Sequence, residues 1–224
     1  MTLLRPQDEQ VRGALTRLIA ELGHAPSTAL VARACNTEER EVFASYRRLS
    51  DTASLLLHPH VLEPWVVHPF ALAAGGCWVE TAERGYWANC LYCALGIAAC
   101  LDRDAIITTR LGGERQTIEV KVRDRKLANH SDLLFHLSTP VAQWWDNVIF
   151  ACASFQPFRN GAEIDDWCRR HALPRGHVMT LEALWPFARD WYGDYIRKPW
   201  RKRSTAENRA LFARHSLLEP FWRA

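Results

Sequence analysis

The sequence predicts an α+β protein, with a winged-helix-like helical module over residues 1–70 packed on a mixed, mainly antiparallel β core with helices over residues 71–224. Three observations predict it. Apolar residues recur at helical spacing between residues 10 and 57, strict alternation takes over from about Phe70, and the alternating stretches are separated by short breaks that suit antiparallel neighbours.

In the first part, Val11, Leu15, Leu18, Ile19 and Leu22 define one helix, Leu30, Val31 and Ala34 a second, and Val42, Tyr46 and Leu49 a third. "GHAPS" at 23–27 supplies a stop and a Ser N-cap, and "NTEEREV" opens the third helix with Asn36 or Thr37 as cap and acidic residues in its first turn. "SLLLHP" and "PWVVHPF" then read as a two-stranded wing. In the second part "CWVET" reads as a strand and Tyr86–Leu101 as an apolar helix. "AIITTRLG", "QTIEVKVRD" and "DLLFHLST" read as three strands of one antiparallel meander. "WWDNVIFACASFQPF" predicts a further buried strand, and "AEIDDWCRRH" a helix. Thr180 caps a helix whose Pro186 falls in its first turns, and Ser204 with Glu207 makes a capping box for the last. No repeat or low-complexity linker separates the parts, so they are expected to pack together.

Composition excludes several classes of function. A net charge of +3 is too small to argue for nucleic acid, and the third helix mixes Glu38, Glu39 and Glu41 with Arg40, Arg47 and Arg48 rather than presenting a basic face. The run Lys198–Arg203 reads as a solvated loop before a helix. No stretch reaches the ~20 apolar residues that span a bilayer, and none near the start has signal-peptide character, so no membrane partner and a cytoplasmic location are expected. Seven cysteines, an odd number, do not form a disulfide framework under that reading and are expected as thiols.

The informative cysteines lie in "YWANCLYCALGIAAC". At i and i+3 on a helix, Cys90 and Cys93 share a face. A structural zinc site wants four ligands and a second CxxC or CxxH pair, which the sequence lacks. A thioredoxin-like pair wants a βαβ setting, whereas the pattern here is antiparallel. Cys35 and Cys100 read as core filler, since free cysteine is among the most buried residue types; Cys77 and Cys168 stay open.

"YWANCLYCALGIAACL", "WWDNVIFACASF", "DDWCRRHALPRGHVMTLEALWPFARDWYGD" and the closing "LEPFWR" together resemble the alkylmercury (organomercurial) lyase family, in its form with an N-terminal helical module, over nearly the whole chain. The resemblance implies a first cysteine in a helix with an aspartate three residues on, and a second cysteine on a strand about sixty residues later. These positions fall on Cys90 and, 62 residues further, on Cys152. The aspartate position holds Cys93, a departure from the family pattern. Asp146, at an even offset before Cys152, and Asp102, after the helix, are other carboxylates that could stand in, though neither matches the family position.

The implied activity is cleavage of a carbon–mercury bond: Cys90 attacks as thiolate, Cys152 adds a second sulfur, and Cys93 serves as proton carrier or third ligand. Hg(II) is soft and prefers thiolate, and a cysteine near a helix N-terminus has reason for a lowered pKa. No cofactor is required; the soft metal, Hg or Cu, is substrate, product or ligand, and an external thiol must collect it. Two alternatives remain open from the residues. One is a non-catalytic Cys90/Cys93/Cys152 site for Cu(I) or Hg(II), and the other a cysteine-dependent enzyme acting on an organic, thiol-reactive substrate.

Overall fold

The computed structural model describes residues 4–223. In chain order its elements are α1 (Pro6–Leu22), α2 (Thr28–Cys35), α3 (Glu39–Asp51), β1 (Leu56–Leu57), β2 (Pro64–Val67), β3 (Phe70–Ala71), β4 (Cys77–Glu80), β5 (Gly85–Ala88) and α4 (Leu91–Leu101). There follow β6 (Ala105–Arg110), β7 (Thr117–Arg123), β8 (Lys126–Leu127), β9 (Leu134–Leu137), α5 (Val148–Ala153), β10 (Gln156–Phe158), α6 (Gly161–His171), β11 (His177–Thr180), α7 (Leu181–Tyr192) and α8 (Thr205–Arg214).

The three N-terminal helices lie where the periodicity puts them, and local chemistry sets their ends. Pro6 begins α1, where its missing N–H costs nothing, and the Asp8 carboxylate accepts from the Arg5 backbone N–H at 2.9 Å. Gly23, at φ 79°, closes α1 in the left-handed region, and the Ser27 hydroxyl caps α2. Asn36 does not start α3: at φ 51° it terminates α2, and Glu38 occupies the cap position of α3 instead. An Asn that tolerates the left-handed conformation serves a helix stop as readily as a start.

Eight strands form one antiparallel sheet in the order β1-β2-β3-β5-β4-β6-β7-β8. The β1–β2 pair is thus one end of the main sheet. β9 does not continue the expected meander but sits at the centre of a second sheet, β10-β9-β11. The reason lies in "RDRKLANHS". Asp124 and Arg125, at φ 48° and 62°, make a tight turn into β8, so β8 covers the β7 edge that β9 would have taken. The predicted strand around Cys152 is also corrected, since residues 148–153 are the short helix α5. A run of apolar residues this short has no period that separates strand from helix; the Asn147 side chain decides it by accepting from the Phe150 backbone N–H at 3.0 Å. Thr180 and Ser204–Glu207 cap α7 and α8 as expected. Pro186 is the sixth residue of α7, past the free first turn, and therefore removes one hydrogen bond to the Glu182 carbonyl.

Helix α4 is the axis of the fold. Every residue from Leu91 to Cys100 is buried, as befits a helix apolar on all sides, and it packs between the main sheet and α7. Its predicted start moves from Tyr86 to Leu91, because Gly85–Ala88 pair with β4 and Cys90 is left as the extended N-cap residue. Two glycine positions permit this. A Cβ on Gly75 would strike the Ala88 carbonyl just before Cys90, and one on Gly96 would enter the Tyr192 ring of α7. The core is continuous, running from Leu15, Val31 and Leu49 of the N-terminal helices to Leu95, Val120 and Phe187. Among the described residues no helix is long and apolar enough to cross a membrane.

One ion pair within the N-terminal helices carries a pH dependence. Asp8 is buried and receives Nε and Nη2 of Arg48, the shorter contact being 2.7 Å. Burial pushes its carboxyl up, but hydrogen bonds from Arg48 and the Arg5 N–H outweigh that, leaving it below its ordinary value. A depressed carboxylate stabilises the fold fully above the unfolded pKa of about 3.9, and the contribution is lost as pH falls through the folded value. Urea midpoints of wild type and Asp8→Asn should therefore differ at pH 7 and converge towards pH 3. A gap that stays constant over this range contradicts the assignment.

A buried cysteine trio as candidate active site

Two helices place three sulfurs together. Cys90 is the N-cap residue of α4, Cys93 lies one turn on, and Cys152 comes from α5. The Cys90 and Cys93 sulfurs are 3.6 Å apart, and the Cys152 sulfur lies within 4.8 Å of that of Cys93. All three are nearly sealed, at 3%, 2% and 7% exposure, and each is a free cysteine.

The electrostatics give the three different states. Burial works against a charge on Cys90, yet hydrogen bonding from the Cys152 and Cys93 thiols and the facing Cys93 backbone N–H holds it well below the ordinary thiol value. Cys152 is pushed well above it by the hydrogen bonds that it gives to its two neighbours and by burial. Cys93 is also pushed well above it: a hydrogen bond from Cys152 favours its charge, but its bond to Cys90, burial and the Cys90 charge together prevail. Of the three, Cys90 at the helix N-terminus therefore gives up its proton most readily, and a charge there opposes a second so close by.

A cavity of about 70 Å³ opens on the sulfurs, walled by Tyr92, Trp144, Trp145, Trp191 and Tyr192 and carrying no Asp or Glu in its lining. A wider cavity of about 300 Å³ adjoins it, sharing His68, Trp145 and Tyr195 and reaching Lys202 and Arg203. Trp145, 44% exposed, stands at the junction with its ring edge-on to His68 at 5.4 Å.

The carboxylates considered as stand-ins are elsewhere. Asp146 is not on a strand facing Cys152; it is exposed in the turn before α5 and lines a different depression. Asp102 closes α4 at its far end in the left-handed conformation and pairs with Arg125 and Arg197 in a polar cleft of about 260 Å³. Cys35 and Cys100 pack in the core, Cys77 bonds Thr109, and Cys168 packs beside His136.

The residue that sequence reasoning missed is His68. It sits between β2 and β3, and one of its ring nitrogens lies with the Cys93 and Cys152 sulfurs in a set whose members are all within 4.8 Å of one another. Nδ1 is buried without a hydrogen-bond partner, and burial, helped by the charge of Arg12, lowers the ring to about 4, so the imidazole is neutral at physiological pH. Its backbone carbonyl accepts from Arg12 Nη2 at 2.7 Å. A lone His 22 residues ahead of Cys90 has no spacing signature.

By fold and site this is an α+β protein built around buried thiols of the kind that take soft metals. Residues 70–193, more than half of the chain, match the family model described as alkylmercury lyase, and the chain belongs to that family. No curated protein matches it. Among solved structures it is similar to one described as the mercury-bound form of MerB2, with a TM-score of 0.67 and 18% identity over 84% of this chain and 91% of the other. At that identity the likeness is one of fold.

Proposed function

We propose that the protein cleaves a carbon–mercury bond by protonolysis at Cys90, Cys93 and Cys152. The observation that carries this reading is the convergence of three free, buried sulfurs on one cavity, with Cys90 the one that gives up its proton most readily. The Cys90 thiolate attacks R–Hg–X, where X is a thiolate carrier, and Cys90–S–Hg–R forms as X⁻ leaves. Cys152 then joins the metal, its proton passing to X⁻ to give XH. Finally the electron pair of the C–Hg bond goes to carbon together with the Cys93 proton, releasing R–H and leaving Hg(II) on three thiolates. Trigonal sulfur coordination suits Hg(II), and an external thiol removes it by exchange. The small cavity holds the metal and a short alkyl group, while a larger organic group extends past Trp145 into the adjoining space.

Incubation with phenylmercury and excess thiol should release benzene. Cys93→Asp should turn over about tenfold faster, because a carboxyl is the better proton donor and cannot act as a third sulfur holding the product. Absence of benzene from both proteins overturns the reading. A second reading, a non-catalytic soft-metal carrier, is favoured by the lack of any carboxylate in the cavity. It predicts stoichiometric Hg(II) binding, lost when any one of the three cysteines is replaced, with benzene appearing only after Cys93→Asp.

A further inference from the structure

We infer that His68, Cys93 and Cys152 form a second, overlapping metal site, with one nitrogen and two sulfur donors, that binds a tetrahedral d10 ion of borderline softness such as Zn(II). The donor atoms already lie within 4.8 Å of one another. Tetrahedral zinc with Zn–S bonds of about 2.3 Å sets its sulfurs roughly 3.8 Å apart, so closure asks for a movement of about an ångström or less. Nδ1 of His68 is buried with no hydrogen-bond partner among the described residues, so the ring has a nitrogen lone pair or N–H that no protein group engages. A neutral imidazole beside two thiols is a borderline-soft donor set, harder than the all-sulfur set that mercury prefers.

The architecture supports a fixed site. The three donors come from the β2–β3 connection, α4 and α5, and Arg12 holds the His68 backbone in place through its carbonyl. Cys90 stands outside the set of mutually close donors yet 3.6 Å from Cys93, so the two metal sites share the Cys93–Cys152 edge. The fourth position faces the cavity, where Cys90, water or an external thiol can complete the tetrahedron. The site exists whether or not the protein cleaves carbon–mercury bonds, and its test uses no mercury.

Reduced, metal-free protein titrated with Co(II) should bind one equivalent, with sulfur-to-cobalt charge transfer and the intense visible bands of a tetrahedral ion. His68→Phe, which keeps a ring against Trp145, should weaken binding at least about tenfold and alter those bands. Zinc X-ray absorption of the wild type supplies a measurement that needs no variant. A nitrogen shell near 2.0–2.1 Å beside sulfur near 2.3 Å is expected. A sulfur-only shell, a six-coordinate cobalt spectrum, or unchanged binding by a folded His68→Phe overturns the site.

Discussion

Cys90→Ser lowers single-turnover release of benzene from phenylmercury by about three orders of magnitude or more, since a serine hydroxyl is neither ionised at neutral pH nor a soft ligand. The variant is informative because it should fold. Cys90 is the N-cap residue of α4 with extended backbone, and serine is among the best residues for that position. Loss of turnover with an unchanged or raised thermal midpoint therefore assigns the effect to chemistry. Cys152→Ser tests the second ligand by the same readouts, but it lies inside α5, where serine brings no cap. Retention of turnover by Cys90→Ser overturns the attacking role. Alkylation by iodoacetamide offers an independent check: at neutral pH Cys90 should be labelled ahead of Cys93 and Cys152, whose protons are held more tightly.

Arg12→Met produces the largest loss of stability. The guanidinium is 1% exposed and donates to the carbonyls of Ser54 at 2.9 Å and His68 at 2.7 Å and to the Thr16 hydroxyl, with its face over Trp200. Methionine fills much of the volume but leaves two carbonyls without their donor. At about 1–3 kcal/mol for each orphaned group, the cost is roughly 3–5 kcal/mol. That corresponds to a fall of about 10 °C in the unfolding midpoint of a chain of this size. Burial brings the guanidinium down to about 10, which still leaves it charged at pH 7, so the effect should be flat across neutral pH. A change of less than a few degrees means that the carbonyls find other partners.

How much of this was legible in the sequence depended on the physics of each segment. The N-terminal helices, β4, β6, β7 and α6 to α8 declared themselves through periodicity and capping side chains. Cys90 and Cys93 were legible as a pair because i, i+3 spacing places them on one turn; their approach to Cys152 rested on a resemblance. The shape around Cys152 was misread because six apolar residues have no period, although "DN" before them held the capping signal. The β9 exchange was hidden in a two-residue turn at Asp124–Arg125. His68 was not legible at all, since its place beside the sulfurs is set by Arg12 reaching across 56 residues to the His68 carbonyl.

That same bond makes the thiol centre and the N-terminal helices one linked thermodynamic system. A ligand that binds only while the His68 segment is ordered raises the free energy of any unfolding that disorders that segment, by about 2.7 kcal/mol at a hundredfold excess over Kd. By reciprocity, whatever loosens α1 weakens the ligand's hold by the same factor. Under the proposed function the N-terminal helices, which contribute no sulfur to that centre, thereby help to set how firmly it holds its metal.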